Sequence, residues 1–256
     1  MSIQRAHVIA GGFPPGQPAG HDHDYARLRL LTLLAERNIP ASVGNDFADL
    51  GKWLAVSRLL ITYTAGPYPG DTQCADLRTW LESGGHWLAL HGSSGGRAER
   101  VDGARMRRTV PTAHHDLLGC MFLTHPPFGR FRVDVADGAH PLTQGIAAFE
   151  VEDEPYFVAL RDPANTRVLL TADFGALPSE VETLYSADTS LLPDGRSRAI
   201  AYVRPVGNGA VTYMALGHCQ GPMSRPNDPS APILLGAWAN AGVTAFLRNA
   251  IGWKVG

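Results

Sequence analysis

The sequence predicts an α/β fold: one domain spanning residues 1–256 in which a mostly parallel sheet is extended by antiparallel strands. Three observations carry that reading. In the first half, strand-like runs alternate with helical stretches; those runs are apolar throughout, as in a parallel sheet covered on both faces; and the second half switches to two-residue alternation with a hairpin signal. Taken in order, "AHVIAGG" (6–12) is a strand. Residues 24–37, "DYARLRLLTLLAER", set Leu28, Leu31 and Leu34 on one helical stripe, with Asp24 as the N-cap. "IPASV" and a short helix around "FADLGKWLAV" follow, then the partly β-branched strand "RLLITYT". Asp71 opens the helix "DTQCADLRTWLESGG", which Gly84 and Gly85 end. "HWLALHGSSGG" (86–96) is a strand that breaks off in His91 and a glycine-serine turn. "GRFRVDV" alternates as a half-buried strand, "TRVLLTAD" is apolar, and "RAIAYVRP" with "GAVTYMALGH" flank a hairpin loop at Val206-Gly207-Asn208. Residues 233–253 read as a closing helix, and the stretches around 97–127 and 219–232 as long loops of the kind that shape binding sites.

A chain of 256 residues with 45% hydrophobic content has enough material for an ordinary packed core. A formal net charge of -2, without a basic stripe, speaks against nucleic acid as a partner. Cys74, Cys120 and Cys219 lie far apart and make no C-x-x-C, so neither a disulfide framework nor a structural zinc site is expected, and a reducing, cytoplasmic setting fits. No apolar run approaches the roughly 18 residues of a membrane span, and "MSIQRAHVIAGG" does not read as an export signal, so no membrane partner is expected. After the first strand, "GGFPPGQPAG" carries prolines where a G-x-G-x-x-G turn would start a helix, which argues against a tightly bound nucleotide.

Ligands of open α/β sheets bind beyond the carboxyl ends of the strands. His21 and His23 lie in the loop after the first strand, His91 ends the fourth, and His218 ends the hairpin strand, so four of ten histidines fall on that rim. Imidazoles gathered there could shuttle protons or bind a metal, with His23, His91 and His218 as candidate ligands. His7 and His86 start strands on the opposite rim and read as structural or solvated; His114 and His115 read as helix decoration and His140 as a turn residue. In "VEDEPYF" (151–157), Asp153 and Glu154 beside Tyr156 offer carboxylates that could orient a histidine, act as a base or ligate metal; the alternative is a solvated acidic turn.

Two stretches spell nucleophile elbows. Gly92-Ser93-Ser94-Gly95-Gly96 fits G-x-S-x-G, and Ser94, Asp153 and His218 follow the chain order of an α/β-hydrolase triad, but "GGRAERVDGARMRRT" lacks the helix an elbow requires. Gly217-His218-Cys219-Gln220-Gly221 fits G-x-C-x-G, but the prolines that follow preclude a helix whose dipole would activate the thiol.

"LALHG" (88–92), "HHDLLGCMFLTHPP" (114–127), "HPLTQGI" (140–146), "DEPY" (153–156), "YVRPVGNGAVTYMALGH" (202–218) and "FLRNAIGW" (246–253) together resemble the trehalose utilisation ThuA-like family, over nearly the whole chain. The resemblance implies a flavodoxin-like, three-layer fold similar to class I glutamine amidotransferases, without their nucleophilic cysteine and with His91 near its place. It implies a cleft lined by His91, His125, Asp153, Glu154, Tyr156 and His218, entered by His21 or His23 from the first loop. Two positions depart from the family pattern: Cys219 stands where an Asp often follows the last Gly-His, and Gly207-Asn208-Gly209 replaces a glycine-lysine-glycine turn.

What the resemblance implies for function is carbohydrate metabolism through keto-sugar intermediates. His91, His218, Asp153 and Glu154 are the expected acid-base residues and His21, His23, His125 and Tyr156 the expected substrate contacts, with a divalent metal such as zinc as an optional Lewis acid. The expected partner is a small carbohydrate, with a homodimer and a separate redox protein as further expectations. The alternatives are a noncatalytic sugar- or metal-binding module, favoured by Cys219, and a serine hydrolase using Ser94.

Overall fold

A computed structural model describes residues 5–11, 20–100, 107–175, 188–221 and 232–255, with Ser224, Asp228 and Ser230. Its main sheet has two halves. Strands β1 (Ala6–Gly11), β2 (Ala41–Gly44), β3 (Leu59–Thr64), β4 (His86–Leu90) and β13 (Gly209–Met214) pair in parallel in the order β2-β1-β3-β4-β13. Strands β8 (Gly129–Val135), β9 (Phe149–Asp153), β11 (Arg167–Asp173) and β12 (Ser197–Val206) continue it as β13-β12-β11-β8-β9, every step antiparallel. The sheet is therefore evenly divided rather than mostly parallel. The reason is local: β12 returns into β13 through the tight loop at Gly207 and Asn208, and a loop that short joins only antiparallel neighbours.

Helices α1 (His23–Glu36) and α5 (Ala241–Gly252) cover one face, where Leu30, Leu34, Phe246 and Ile251 pack on Val8, Ile61, Leu88 and Met214. Helices α2 (Leu50–Leu54), α3 (Asp71–Glu82) and α4 (Ala113–Leu118) cover the other, with Leu50, Leu77, Leu81 and Leu117 against Leu60, Trp87 and Val211. Each such fully buried side chain contributes about 1.5–3 kcal/mol, and burial on both sides explains why the parallel strands carry no polar alternation.

Several boundaries differ from the sequence reading. Asp22, not Asp24, caps α1 by accepting from Tyr25 N, while Asp24 pairs with Arg27. The closing helix is shorter, since Gly236 at φ +53° and the Asn240 N-cap confine it to 241–252. The stretch read as a long loop holds the antiparallel pair β5 (Ala98–Arg100) and β6 (Arg107–Thr109), α4, and β7 (Cys120–Thr124), which pairs with β10 (Phe157–Leu160). Strands of three to five residues are too short for a period to show. Half of 219–232 lies outside the described residues.

The register places the site. Tyr63 of β3 stands opposite Leu90 of β4, and Leu90 opposite Met214 of β13. The residues that follow, Thr64, His91 and Ala215, therefore leave the sheet side by side at one rim. Among the described residues no helix is long and apolar enough to cross a membrane.

Candidate functional site

His91 turns the chain at the end of β4 with φ +44°, in the left-handed region that non-glycine residues seldom occupy, and begins a short 3-10 turn to Ser94. The turn is held from several sides. The Tyr213 hydroxyl donates to the His91 carbonyl at 3.0 Å, and Ser94 Oγ lies 2.8 Å from that hydroxyl. His114 Nε2 donates to the Ser93 carbonyl and His115 Nε2 to that of Gly95, at 2.8 and 3.1 Å. At Gly92 a Cβ would sit 2.4 Å from the Thr64 carbonyl, so the turn lies directly against β3. The His91 ring is fully buried; its Nδ1 donates to the Ala215 carbonyl at 2.8 Å, which leaves the Nε2 lone pair directed toward His21. Burial, reinforced by the neighbouring histidines, holds its pKa well below the ordinary imidazole value.

His218 is fixed through its backbone. The buried Asp153 carboxylate accepts four peptide N–H groups, from Glu154 (2.6 Å), Gly217 (2.8 Å), His218 (3.0 Å) and Ala237 (3.1 Å). The Gly217 carbonyl accepts from Tyr63 Oη and Trp238 Nε1, both at 2.8 Å. Burial pushes the Asp153 carboxyl up to about 7, while the four donors pull toward its ionised form. Asp153 thus organises the backbone that presents His218, Glu154 and the 236–237 turn.

His21 enters from the loop before α1. Asp22 N donates to the Cys219 carbonyl at 2.8 Å, and Cys219 Sγ contacts the Asp22 carbonyl (3.4 Å) and the Tyr63 hydroxyl (3.4 Å). Cys219 therefore ties the His21 loop to the His218 loop. Its thiol, pushed up to about 12 chiefly by burial, is unsuited to nucleophilic attack.

The three histidines meet. His91 Nε2 lies 3.0 Å from His21 Nε2, and one ring nitrogen each from His21, His91 and His218 fall within 4.8 Å of one another. Tyr156 lies against His91, with ring centroids 3.8 Å apart and planes tilted by 38°, and its hydroxyl lies 3.4 Å from His21 Nε2. Glu154 stands between two imidazoles, 3.5 Å from His218 Nδ1 and 3.4 Å from His125 Nδ1. A cavity of about 330 Å³ opens beside the cluster, lined by His21, Tyr156, Phe122, Tyr68 and the glycines of the 92–96 turn.

The convergence expected of His21, His91, His125, Glu154, Tyr156 and His218 is therefore present. His23, the first residue of α1, is not among the three histidines whose ring nitrogens meet, and burial lowers its pKa to about 4. His21 takes the place given to His23 among the candidate metal ligands. The serine-hydrolase constellation is not assembled, because buried Ser94 engages Tyr213 and a carbonyl, and Asp153 grips peptide N–H groups. His7 and His86 are buried on Ser42 and Thr212, and His140 accepts from Leu142 N in its turn. His114 and His115, read as decoration, are buried supports of the His91 turn. Sequence reasoning missed Tyr63, Phe122 and Trp238. Tyr63 was findable, since "LLITYT" ends on the same rim as His91; Trp238 lies in a stretch read as helix, and Phe122 in one read as loop.

Fold and site define a flavodoxin-like α/β protein with a histidine-lined cleft at the carboxyl ends of its parallel strands. The family model for ThuA, trehalose utilisation, matches residues 18–230, and the chain belongs to that family. Among solved structures it is similar to a protein of Bacteroides uniformis described as ThuA-like, with TM-score 0.65 and 16% identity over 99% of this chain and 91% of that one. A second, of Parabacteroides merdae and likewise described as ThuA-like, gives 0.59 and 15% over 98% and 90%. A protein of Thermoplasma acidophilum described as belonging to a GMP synthase gives 0.50 and 11% over 98% and 94%. Likeness at these identities bears on the fold. No curated protein matches the sequence.

Proposed function

We propose that the chain is a carbohydrate-processing enzyme that moves protons at carbons flanking the carbonyl of a keto-sugar. The observation that carries this reading is the meeting of His21, His91, His218 and Tyr156 at the edge of a 330 Å³ cavity, a volume near the lower end of small-molecule sites and suited to one sugar ring. The family description, trehalose utilisation, supports the substrate class. Three buried free cysteines accord with a reducing, cytoplasmic setting.

The chemistry follows from protonation. A carbonyl acidifies the neighbouring C–H, and a neutral imidazole with its lone pair in the cleft is the base such a step needs. His91 fits that role, its Nδ1–H fixed on Ala215 and its Nε2 kept unprotonated by burial. His218, with Glu154 beside its Nδ1, is placed to return a proton to oxygen or carbon. Tyr156 and His125 orient hydroxyls, and the rings of Phe122 and Tyr156, 4.4 Å apart, give an apolar wall for the C–H face of a sugar. Asp153 acts as a positioning residue.

Hydrogen–deuterium exchange at the carbons next to the carbonyl of keto-glucosides, followed by NMR in D2O, tests the reading. We expect His91→Ala and His218→Ala each to slow exchange by about 10²–10⁴-fold, the usual worth of a general acid or base. Exchange at the parental rate in both variants would place the chemistry elsewhere; no exchange in the parent would leave a binding module.

A further inference from the structure

We propose that His21, His91 and His218 form a binding site for a divalent transition metal of the zinc type, with an open coordination position directed at the neighbouring cavity. Zinc–imidazole bonds of about 2.0–2.1 Å at tetrahedral angles separate two ligand nitrogens by about 3.3 Å. The His91 and His21 Nε2 atoms, 3.0 Å apart, already stand close to that spacing. A proton shared between them would explain one short contact. It does not explain a third imidazole nitrogen within 4.8 Å of both. The three side chains come from separate segments, after β1, β4 and β13, and each is anchored: His21 through Asp22 to Cys219 of the His218 loop, His91 through its carbonyl and Nδ1, His218 through Asp153.

The surrounding groups are those a metal-bound histidine requires. Its non-ligating nitrogen is ordinarily held by a carbonyl or carboxylate, which fixes the tautomer and raises basicity. His91 has the Ala215 carbonyl at Nδ1, and the Glu154 carboxylate stands 3.5 Å from His218 Nδ1. Three neutral imidazoles leave the ion its full charge, which Glu154 offsets from just outside the ligand set. Imidazole donors suit zinc, copper, iron and nickel rather than magnesium or calcium, and three protein ligands with one open position is the composition of catalytic zinc sites. Because His21 and Tyr156 also wall the cavity, an oxygen donor resting there would reach the open position. On the proposed reading of the cleft, that donor is the carbonyl or adjacent hydroxyl of an α-hydroxy ketone, a unit that a keto-sugar carries. With the ion bound, the His91 Nε2 lone pair would serve as a ligand, and moving the proton would fall to Glu154, which stands between His218 and His125.

The test measures binding and does not depend on turnover. Chelator-stripped protein is titrated with Co(II), whose visible bands report a tetrahedral site, and the bound cobalt is then displaced with Zn(II). One saturable site per chain is expected. His21→Ala, a change on a partly exposed loop that spares the core, should weaken binding by more than about 100-fold, the upper cost of losing a mere outer-shell partner. His91→Asn should do the same, with circular dichroism checking its fold, and His140→Ala, remote from the cluster, should bind as the parent does. Failure of the stripped parent to take up either ion, or uptake undiminished in both His21→Ala and His91→Asn, overturns the proposal. Metal uptake in a protein that exchanges no keto-sugar protons would count against the enzymatic reading alone; exchange by protein that takes up no metal would do the reverse.

Discussion

Asp153 shows how much one residue can organise without entering the chemistry. Each of its oxygens accepts two peptide N–H groups, Oδ1 from Glu154 and His218 and Oδ2 from Gly217 and Ala237. An amide of the same shape keeps one acceptor oxygen and turns an NH2 group toward the other pair, so two donors face a donor in a fully buried site. Asp153→Asn is therefore expected to cost about 3–5 kcal/mol, the loss of two bonds to a charged acceptor plus buried unpaired donors. Denaturant unfolding measures it; a loss under about 1 kcal/mol, the net worth of one ordinary hydrogen bond, would show that the carboxylate is not the clamp described. Tyr213→Phe tests the other anchor. Removing the hydroxyl that donates to the His91 carbonyl should lower stability by about 1–2 kcal/mol and reduce kcat more than KM, because His91 is held less firmly while the cavity wall is untouched.

At the level of elements, two turns decide whether the imidazoles meet. The His91–Ser94 turn lies on β3 through Gly92, and the 236–237 turn lies on the His218 backbone through Gly236, where a Cβ would fall 1.9 Å from the His218 carbonyl and φ is +53°. Gly236→Ala must push that peptide aside, and we expect about 1–3 kcal/mol of destabilisation together with loss of cobalt binding, read by urea titration and visible absorbance. Normal binding with normal stability would mean that the turn yields without moving His218. These turns also mark the limit of what the sequence shows. The strands and α3 are legible because burial on both faces, or on a stripe, leaves a period in the residue types, and His91 and His218 are legible because polar groups ending apolar strands stand out. The support under them is not: His114, His115, Tyr63 and Trp238 act through pairings distant in the chain, or with backbone carbonyls, and neither leaves a local pattern. The choice of His21 over His23 depends on Asp22 capping α1, a one-turn detail that periodicity cannot resolve.

Across the whole molecule the histidines divide by rim, and that division has a consequence for stability. His7, His86 and His114 lie outside the cluster, and burial lowers their pKa values to about 4, 3 and 3 from an unfolded value of about 6.5. As pH falls below about 6.5 the unfolded chain takes up protons at these positions and the folded chain does not. Protonation therefore favours unfolding, and the contribution, complete above about pH 6.5, is lost progressively down to about pH 3–4 at up to about 1.4 kcal/mol per pH unit for each ring. Asp153 works the other way, since its folded pKa of about 7 lies above the unfolded one and its folded form binds a proton that the unfolded chain has released. Three rings outweigh one carboxyl, so the urea midpoint should fall between about pH 7 and about pH 5. His86 offers the cleanest check, its ring being buried with Nε2 hydrogen-bonded to Thr212 Oγ1 at 2.9 Å. His86→Gln can keep that bond without titrating, and should flatten the pH dependence by about 1.4 kcal/mol per unit. An unchanged slope in that variant would mean that His86 gains its proton without unfolding the chain.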